Sequence, residues 1–287
     1  MNSYINCRRY AERVSLLVSL FTMKSQQPCA YCNRTDTKLT KEHLWARSLH
    51  QRLQKSRGDK QHSFWLSRLD KVVETEPKLR DVCDVCNNGV LSQLDAYICA
   101  LWDKYFFRIH ERGEFVNFSY NYDLLCRWLL KLCYNSARIH KFDDFVYPPL
   151  VPYILNASSP VVEFELFLQI VPPGFLSVSE LKEMGLPDDK ALRWEPDIHR
   201  IGFAQFISND GRKKILRAIH LRSYSFFLAF FQPGTTKSEI NEFLSIFLLQ
   251  KQEVKHISPR SDFVVLLCDG MDALESFQGS HSKFIAG

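Results

Sequence analysis

Hydrophobic and polar residues alternate along the second half of the chain, the pattern of strands with one buried face. In VVEFELFLQIV the apolar residues from Val162 to Ile170 are separated by Glu163, Glu165 and Gln169. IGFAQFIS, KKILRAIHLRSYSFFLAFFQ and DFVVLLC predict further strands. The phenylalanines of SYSFFLAFF indicate a buried strand rather than a platform for stacked bases, because stacking aromatics usually stand among basic residues.

Two other segments have apolar residues at helical spacing. From Asp123, the predicted N-cap, apolar residues through Leu132 mark one face of a helix. The stretch TTKSEINEFLSIFLL predicts a second helix, opened by a capping box of Thr236 and Glu239. Between them YPPLVP, residues 147 to 152, is typical of a linker or domain boundary.

These patterns predict an α+β protein with two domains. Residues 24–140 combine metal-site loops with helices, and residues 141–287 form an α+β domain with a mainly antiparallel sheet. Residues 1–23 are predicted to be an N-terminal helix or extension, with Met23 as an alternative start to Met1. No run of 18 or more apolar residues is present, so we expect no transmembrane helix.

Charge is distributed unevenly along the chain. The formal net charge is +5, with an excess of Lys and Arg in the first 140 residues and a small excess of Asp and Glu in the rest. A basic half favours a polyanionic partner such as nucleic acid, although such charge is also common on solvated surfaces.

Cysteine usage indicates a reducing compartment, and we expect a cytoplasmic protein. The chain has 9 cysteines, an odd number, of which four form two CxxC pairs. Free cysteines in apolar runs behave as small core residues where thiols stay reduced. The five single cysteines are Cys7, Cys99, Cys126, Cys133 and Cys268.

The two CxxC pairs predict a structural zinc site. Cys29 and Cys32 form the first pair, and Cys83 and Cys86 form the second. Two such turns supply a tetrahedral sulfur shell, the arrangement that structural zinc prefers. The alternatives are two disulfides or two redox pairs, but a redox CxxC normally opens a helix after a strand in a thioredoxin-like domain.

Four thiolates would fill the coordination of zinc, so any catalysis needs other residues. Glu42 and His43 stand shortly after the first pair, and Asn87 directly follows the second. A shared zinc would bring the ends of both pairs together. We therefore expect Glu42, His43 and Asn87 to converge, with the Asn87 amide oxygen facing a second, harder cation.

The stretches CAYC, KEHLWARSL and DVCDVCNNGVLSQLD together resemble the HNH endonuclease superfamily, also called the ββα-metal nucleases. They are particularly similar to members braced by four cysteines, including phage resolvases of DNA junctions, and to bacterial proteins with a CNNG signature. The resemblance covers roughly residues 28 to 110. It implies that residues 24–140 are a zinc-braced HNH nuclease domain with a helical extension.

The resemblance also implies roles for the matching residues. His43 would be the general base that activates water, while Glu42 and Asn87 would be ligands of a catalytic Mg²⁺ or Mn²⁺. The last motif position is not matched clearly. Asp95 and Asn88 are the candidates there, and Asp95 would be either a ligand or a group behind the ligands. A purely structural role for His43 is the alternative.

The chain departs from the family pattern after the histidine. Trp45 stands where many relatives have Pro, and the segment from Leu44 to Arg80 is longer than a minimal motif needs. This insertion is either a surface for backbone phosphates or a solvated helical insertion. The predicted DNA-binding residues are Arg47, Arg52, Lys55, Arg57 and Arg80.

The expected activity is hydrolysis of phosphodiester bonds in DNA, and we expect that DNA to be double-stranded. The resemblance implies that cleavage leaves a 3′-hydroxyl and a 5′-phosphate. A role in anti-phage defence or in a mobile element follows only by analogy. One alternative is a non-catalytic, zinc-dependent nucleic-acid-binding module. Another is a nuclease effector gated by a ligand or partner, with the C-terminal domain as the candidate surface for a protein partner or a second copy.

Overall fold

The structure is a computed structural model that describes the chain from residue 27 to residue 276, with gaps. The described ranges are 27–56, 64–66, 71–73, 76–141, 146–155, 159–160, 162–183, 191–196, 199–208, 211–250 and 253–276. The predicted helix or extension over residues 1–23 and the predicted DNA-binding residue Arg57 lie outside these ranges.

The N-terminal part is built on two antiparallel strands with an insertion between them. Strand β1 pairs with β4 from Leu39, opposite Cys83, to His43, opposite Lys78. The insertion carries helix α1 and a small hairpin of β2 and β3. The bounds are β1 Leu39–His43, α1 Arg47–Ser56, β2 Phe64–Leu66, β3 Lys71–Val73 and β4 Lys78–Cys83.

A helical segment follows β4 without a loop. It consists of α2 (Asp84–Cys86), a wider turn over Asn87–Leu91 that bends at Gly89, α3 (Ser92–Leu101) and a second wide turn over Trp102–Phe106. Leu91, Leu94 and Ile98 are buried along its inner face. The order strand, strand, helix places the chain after Cys86 directly beside β1.

A long buried helix packs against the helical segment that follows β4. After strand β5 (Phe115–Ser119), helix α4 covers Tyr122–His140. Its N-cap is Asn121, whose side chain accepts from the Leu124 amide at 3.0 Å, so the prediction of Asp123 as N-cap is wrong. Asp123 instead pairs with Arg127 one turn later, at 3.1 Å.

The stretch YPPLVP lies in a helix, α5 (Tyr147–Ile154), and not in a linker. The first two prolines lie in the first helical turn, where backbone N–H groups have no partner within the helix, whereas Pro152 lies inside the helix. Tyr147, Leu150 and Ile154 are buried, and the Ile154 carbonyl accepts from the Arg127 guanidinium on α4. Tertiary packing therefore outweighs the turn signal of the prolines.

The C-terminal part is a five-stranded antiparallel sheet in the order β12, β6, β11, β10, β9, which confirms the α+β prediction. The central strand β11 is buried along its whole length, as its phenylalanines predict. The elements are β6 Phe164–Ile170, β7 Gly174–Leu176, α6 Val178–Glu183, β8 Leu192–Trp194, β9 His199–Ile207, β10 Lys213–Leu221, β11 Tyr224–Phe231, α7 Lys237–Gln250, β12 Lys255–His256 and β13 Phe263–Leu267.

The predicted capping box opens α7. The Thr236 hydroxyl accepts from the Glu239 amide at 3.3 Å, and the Glu239 carboxylate accepts from the Thr236 amide at 2.8 Å. The last strand, β13, pairs with β5 from the first half. One cluster of buried side chains runs from Cys29 to Cys268 and joins the two parts.

No helix in the described ranges combines the length and apolar character needed to cross a bilayer.

Candidate functional site

Four cysteines meet at the point where β1 and β4 begin and end. The Sγ atoms of Cys29, Cys32, Cys83 and Cys86 all lie within 4.8 Å of one another. All four are free thiols, and Cys32 and Cys83 are 3.6 Å apart, sulfur to sulfur. A tetrahedral zinc site with Zn–S bonds of about 2.3 Å needs sulfur separations of about 3.8 Å. The cluster is therefore close enough to hold a metal ion such as zinc.

Backbone amides aim at the sulfurs, which favours thiolates. The Cys83 amide donates to the Cys29 sulfur at 3.2 Å, and the Cys86 amide donates to the Cys83 sulfur at 3.4 Å. Burial opposes ionisation of Cys29, but hydrogen bonds from the backbone of Cys32, Cys83 and Tyr31 outweigh it and lower its pKa to about 7. Burial, followed by the neighbouring thiols, raises the pKa of Cys86. Because charge on one sulfur opposes charge on the next, a bound cation is needed to ionise the whole cluster.

The second cysteine pair fixes Asn87 against β1. The Asn87 side-chain nitrogen donates to the Thr40 hydroxyl at 2.9 Å and to the Lys41 carbonyl at 3.3 Å. Thr40 in turn donates to the Val82 carbonyl across the strand pair at 2.9 Å. Both hydrogens of the amide are thereby engaged, and its oxygen is the end left for a cation or a hydrogen-bond donor.

The residues predicted to be catalytic line one open groove. Glu42 and His43 from the end of β1, Asn87 from the wide turn and Asp95 from α3 all contribute to it. Helix α1 of the insertion supplies further polar side chains to the same groove. These are Arg47, Ser48, Gln51 and Arg52.

His43 is held by a carboxylate from the insertion. Its Nδ1 lies 2.6 Å from Glu76 Oε2, and the Glu76 side chain is only 9% exposed. An ionised carboxylate at this position accepts from Nδ1–H, which leaves Nε2 as the basic nitrogen of the ring. The imidazole, 29% exposed, is therefore oriented and still open to the groove.

Glu42 is buried and shares a lysine with Asp95. The Lys131 ammonium, on α4, lies 3.0 Å from Glu42 Oε1 and 2.7 and 2.8 Å from the two oxygens of Asp95. The Trp128 indole also donates to Asp95, at 3.1 Å. Burial alone would lower the pKa of Lys131, but the carboxylates of Asp95 and Glu42 outweigh it and raise the pKa. The ammonium thus stays charged at neutral pH.

Asn135, one turn beyond Lys131 on α4, links the first cysteine pair to the Glu42–His43 dipeptide. Its side-chain nitrogen donates to Glu42 Oε1 and to the His43 carbonyl, both at 3.0 Å. Its oxygen accepts from the Tyr31 hydroxyl at 2.8 Å and from Arg138 at 2.5 Å. Tyr31 lies between Cys29 and Cys32, so the first CxxC turn and the end of β1 both hydrogen-bond to the same helix.

The predicted DNA-binding residues occupy different settings. Arg47 is exposed and lines the groove, and Lys55 is exposed on the same helix. Arg52 also lines the groove, but Asp103 holds its guanidinium through two contacts of 2.7 Å. Arg80 is exposed on β4, where it donates to the Leu39 carbonyl at 3.3 Å. Direct phosphate contact by these residues stays a prediction.

Glu76, Lys131 and Asn135 lie outside the sequence motifs. The position of Glu76 follows from the pairing of the two strands. His43 lies opposite Lys78, so the residues just before β4 lie beside the end of β1. Lys131 and Asn135 carry a weaker signal: with Arg127 they form a series of polar residues four apart in a helix whose other buried residues are mostly apolar, which indicates one buried polar stripe.

Among the described residues, no second group of three His, Cys, Asp or Glu ligand atoms lies as close together as the four cysteines. Comparison of the chain with family models, with curated proteins and with solved structures gives no match.

Proposed function

We propose that the chain is a metal-dependent endonuclease of the HNH type that hydrolyses phosphodiester bonds in DNA, with a structural zinc in the four-cysteine cluster. The supporting observation is the convergence of Glu42, His43 and Asn87 in one groove beside the cysteines. Residues far apart in sequence come together through a strand, strand, helix arrangement. That convergence is what the resemblance to HNH enzymes requires.

The donors in the groove fit a small hard cation. Within the described part of the chain, hydrogen bonds to Glu42 use Oε1 and those of Asn87 use its nitrogen, so one oxygen of each side chain is left to bind an ion. Mg²⁺ characteristically takes one or two protein oxygens and keeps several waters. Bound there, Mg²⁺ or Mn²⁺ would neutralise charge that develops on the phosphate and on the leaving oxygen.

The other residues position and activate the nucleophile. His43 Nε2 takes the proton of a water molecule, and Glu76 holds the ring and stabilises the imidazolium that forms. Asn135 fixes the backbone of His43 and the carboxylate of Glu42 relative to each other. Arg47 and Lys55 on α1 supply positive charge for the phosphates of the strand in the groove.

Cleavage of supercoiled plasmid tests this proposal. Wild type, His43→Ala and a matched control, His256→Ala, are compared in Mg²⁺ and in Mn²⁺ after zinc content has been measured. His256 also pairs with a glutamate at 2.6 Å, but it lies on β12 in the C-terminal sheet. We expect wild type and His256→Ala to cut, and His43→Ala to lose about 10²- to 10⁴-fold in rate.

Two results would contradict the proposal. An intact plasmid with wild type would exclude unaided DNA cleavage and favour a binding module or a gated effector. Equal cutting by His43→Ala would remove His43 as the general base. If wild type does not cut, a mobility-shift assay tests whether it binds DNA. Binding without cutting fits both alternatives, and cutting that appears only when a ligand or partner is added favours the gated effector.

A further inference from the structure

Lys131 is an unusual residue for its position, in the middle of a buried helix face. Its side chain is 4% exposed, and lysine is rarely buried to this degree unless it is paired. The ammonium contacts three carboxylate oxygens, one from Glu42 and both from Asp95. No residue of the HNH-like stretches predicts this contact, since α4 lies beyond them in the chain.

One ammonium that touches two carboxylates shows that both are within reach of a single cation. Two carboxylates that can both contact one cation are a common binding site for a divalent ion. Lys131 occupies that place, and the three groups together carry one negative charge instead of two. Both oxygens of Asp95 are engaged by Lys131 and Trp128, whereas one oxygen of Glu42 has no hydrogen bond to the residues that the structure describes.

We propose that Lys131 is a positioning residue that takes the place of a cation between Glu42 and Asp95. It thereby restricts the groove to one divalent ion, held through Glu42 and Asn87, and keeps Asp95 out of the coordination shell. This inference rests on the proposed function, because it takes Glu42 and Asn87 as the ligands of that ion.

The competing explanation is a buried ion pair that supports only the fold. Arg127 provides the matched comparison, because it is a buried cation on the same helix, paired with Asp123 and bound to the Ile154 carbonyl. Lys131→Met and Arg127→Met both remove a buried positive charge. Only the first does so beside the groove.

Mn²⁺ binding to the zinc-loaded full chain, measured by titration calorimetry without DNA, separates the two explanations. Lys131→Met leaves Glu42 and Asp95 facing each other without a cation, so we expect Mn²⁺ to bind at least ~10-fold more tightly than in wild type. The thermal stabilisation by Mn²⁺ should increase as well. Arg127→Met should bind Mn²⁺ as wild type does.

The double variant Lys131→Met with Asp95→Asn restores the wild-type charge and avoids two unpaired carboxylates, so it tests the inference even where Lys131→Met folds poorly. If Asp95 is not a ligand, the double variant should bind Mn²⁺ within about threefold of wild type. A loss of ~10-fold or more would show that Asp95 is a ligand and would overturn the inference. Unchanged affinity in a folded Lys131→Met would overturn it too.

The plasmid assay, run in parallel, keeps this result apart from the proposed function. If wild type cuts the plasmid and Lys131→Met binds Mn²⁺ with unchanged affinity, the proposed role of Lys131 is wrong and the proposed nuclease activity is supported. Tighter Mn²⁺ binding in Lys131→Met, reversed by Asp95→Asn, supports the role of Lys131 even where wild type leaves the plasmid intact.

Discussion

Replacing Glu76 by Gln removes the negative charge beside His43 and keeps the size of the side chain. The Nδ1 to Oε2 distance is 2.6 Å, and with Glu76 9% exposed the contact is poorly screened by solvent. Hydrogen bonds that involve a charged group contribute about 1.5–3 kcal/mol. This interaction is strongest when the imidazole is protonated, which in the proposed mechanism happens as His43 accepts the proton of water. At about 1.4 kcal/mol per tenfold in rate, kcat should therefore fall by about 10- to 150-fold.

The measurement is the rate of cleavage of a labelled duplex at saturating and at limiting DNA. Because Glu76 is not expected to touch phosphate, KM should be unchanged while kcat falls. Glu165→Gln is the matched control, since Glu165 makes a 2.6 Å contact with His256 in the C-terminal sheet. The second oxygen of Glu76 has no hydrogen-bond partner among the described residues, so an amide placed there gains no new hydrogen bond, and Tm is measured to confirm that Glu76→Gln is folded. A kcat within twofold of wild type, or equal to that of Glu165→Gln, would refute a role for Glu76 in orienting the base.

Two further predictions concern the metal cluster and the response of the fold to pH. Cys86→Ser should lose the bound zinc and on the order of 5 kcal/mol of unfolding free energy, measured by metal analysis and denaturant titration, whereas Cys268→Ser, outside the cluster, should retain zinc. Burial lowers the pKa of His110 in the folded protein. As the pH falls, the imidazole is therefore protonated at a higher pH in the unfolded chain than in the folded one. The free energy of unfolding should fall as the pH drops below about 7 and through the pKa of the folded state. His110→Gln should flatten that part of the stability curve, and an unchanged slope would show that other groups produce it.

The two CxxC pairs carry enough information in the sequence to predict the metal cluster. Their spacing requires a loop closure that brings residues 29–32 to residues 83–86, and the structure places the four sulfurs together. The positions of Glu42, His43 and Asn87 in one groove follow from that closure, because each lies within a few residues of β1 or of the second pair. Alternating and helical patterns similarly predict β6, β11 and α7.

Other features depend on contacts that local patterns do not encode. The prolines of residues 147–152 predict a turn, yet the apolar residues among them are buried by packing against α4 and the sheet. Asn121 and Asp123 are both good N-caps, and Arg127 draws Asp123 into an ion pair one turn later. Lys131 and Asn135 acquire their polar partners from segments near residues 30, 42 and 95, so no window of sequence around them reveals their role.

The pairing of β13 with β5 has a consequence for synthesis of the protein. Phe115 lies opposite Leu267, and the Gly113 amide donates to the Cys268 carbonyl at 2.8 Å. Contacts between residues so distant in sequence form late, since the chain between them must first be made and closed into a loop. During synthesis on the ribosome, β5 therefore cannot pair with β13 until the segment around residue 267 has emerged. A messenger truncated before that point would yield a chain with an unpaired strand edge and an incomplete core, a species prone to aggregation and proteolysis.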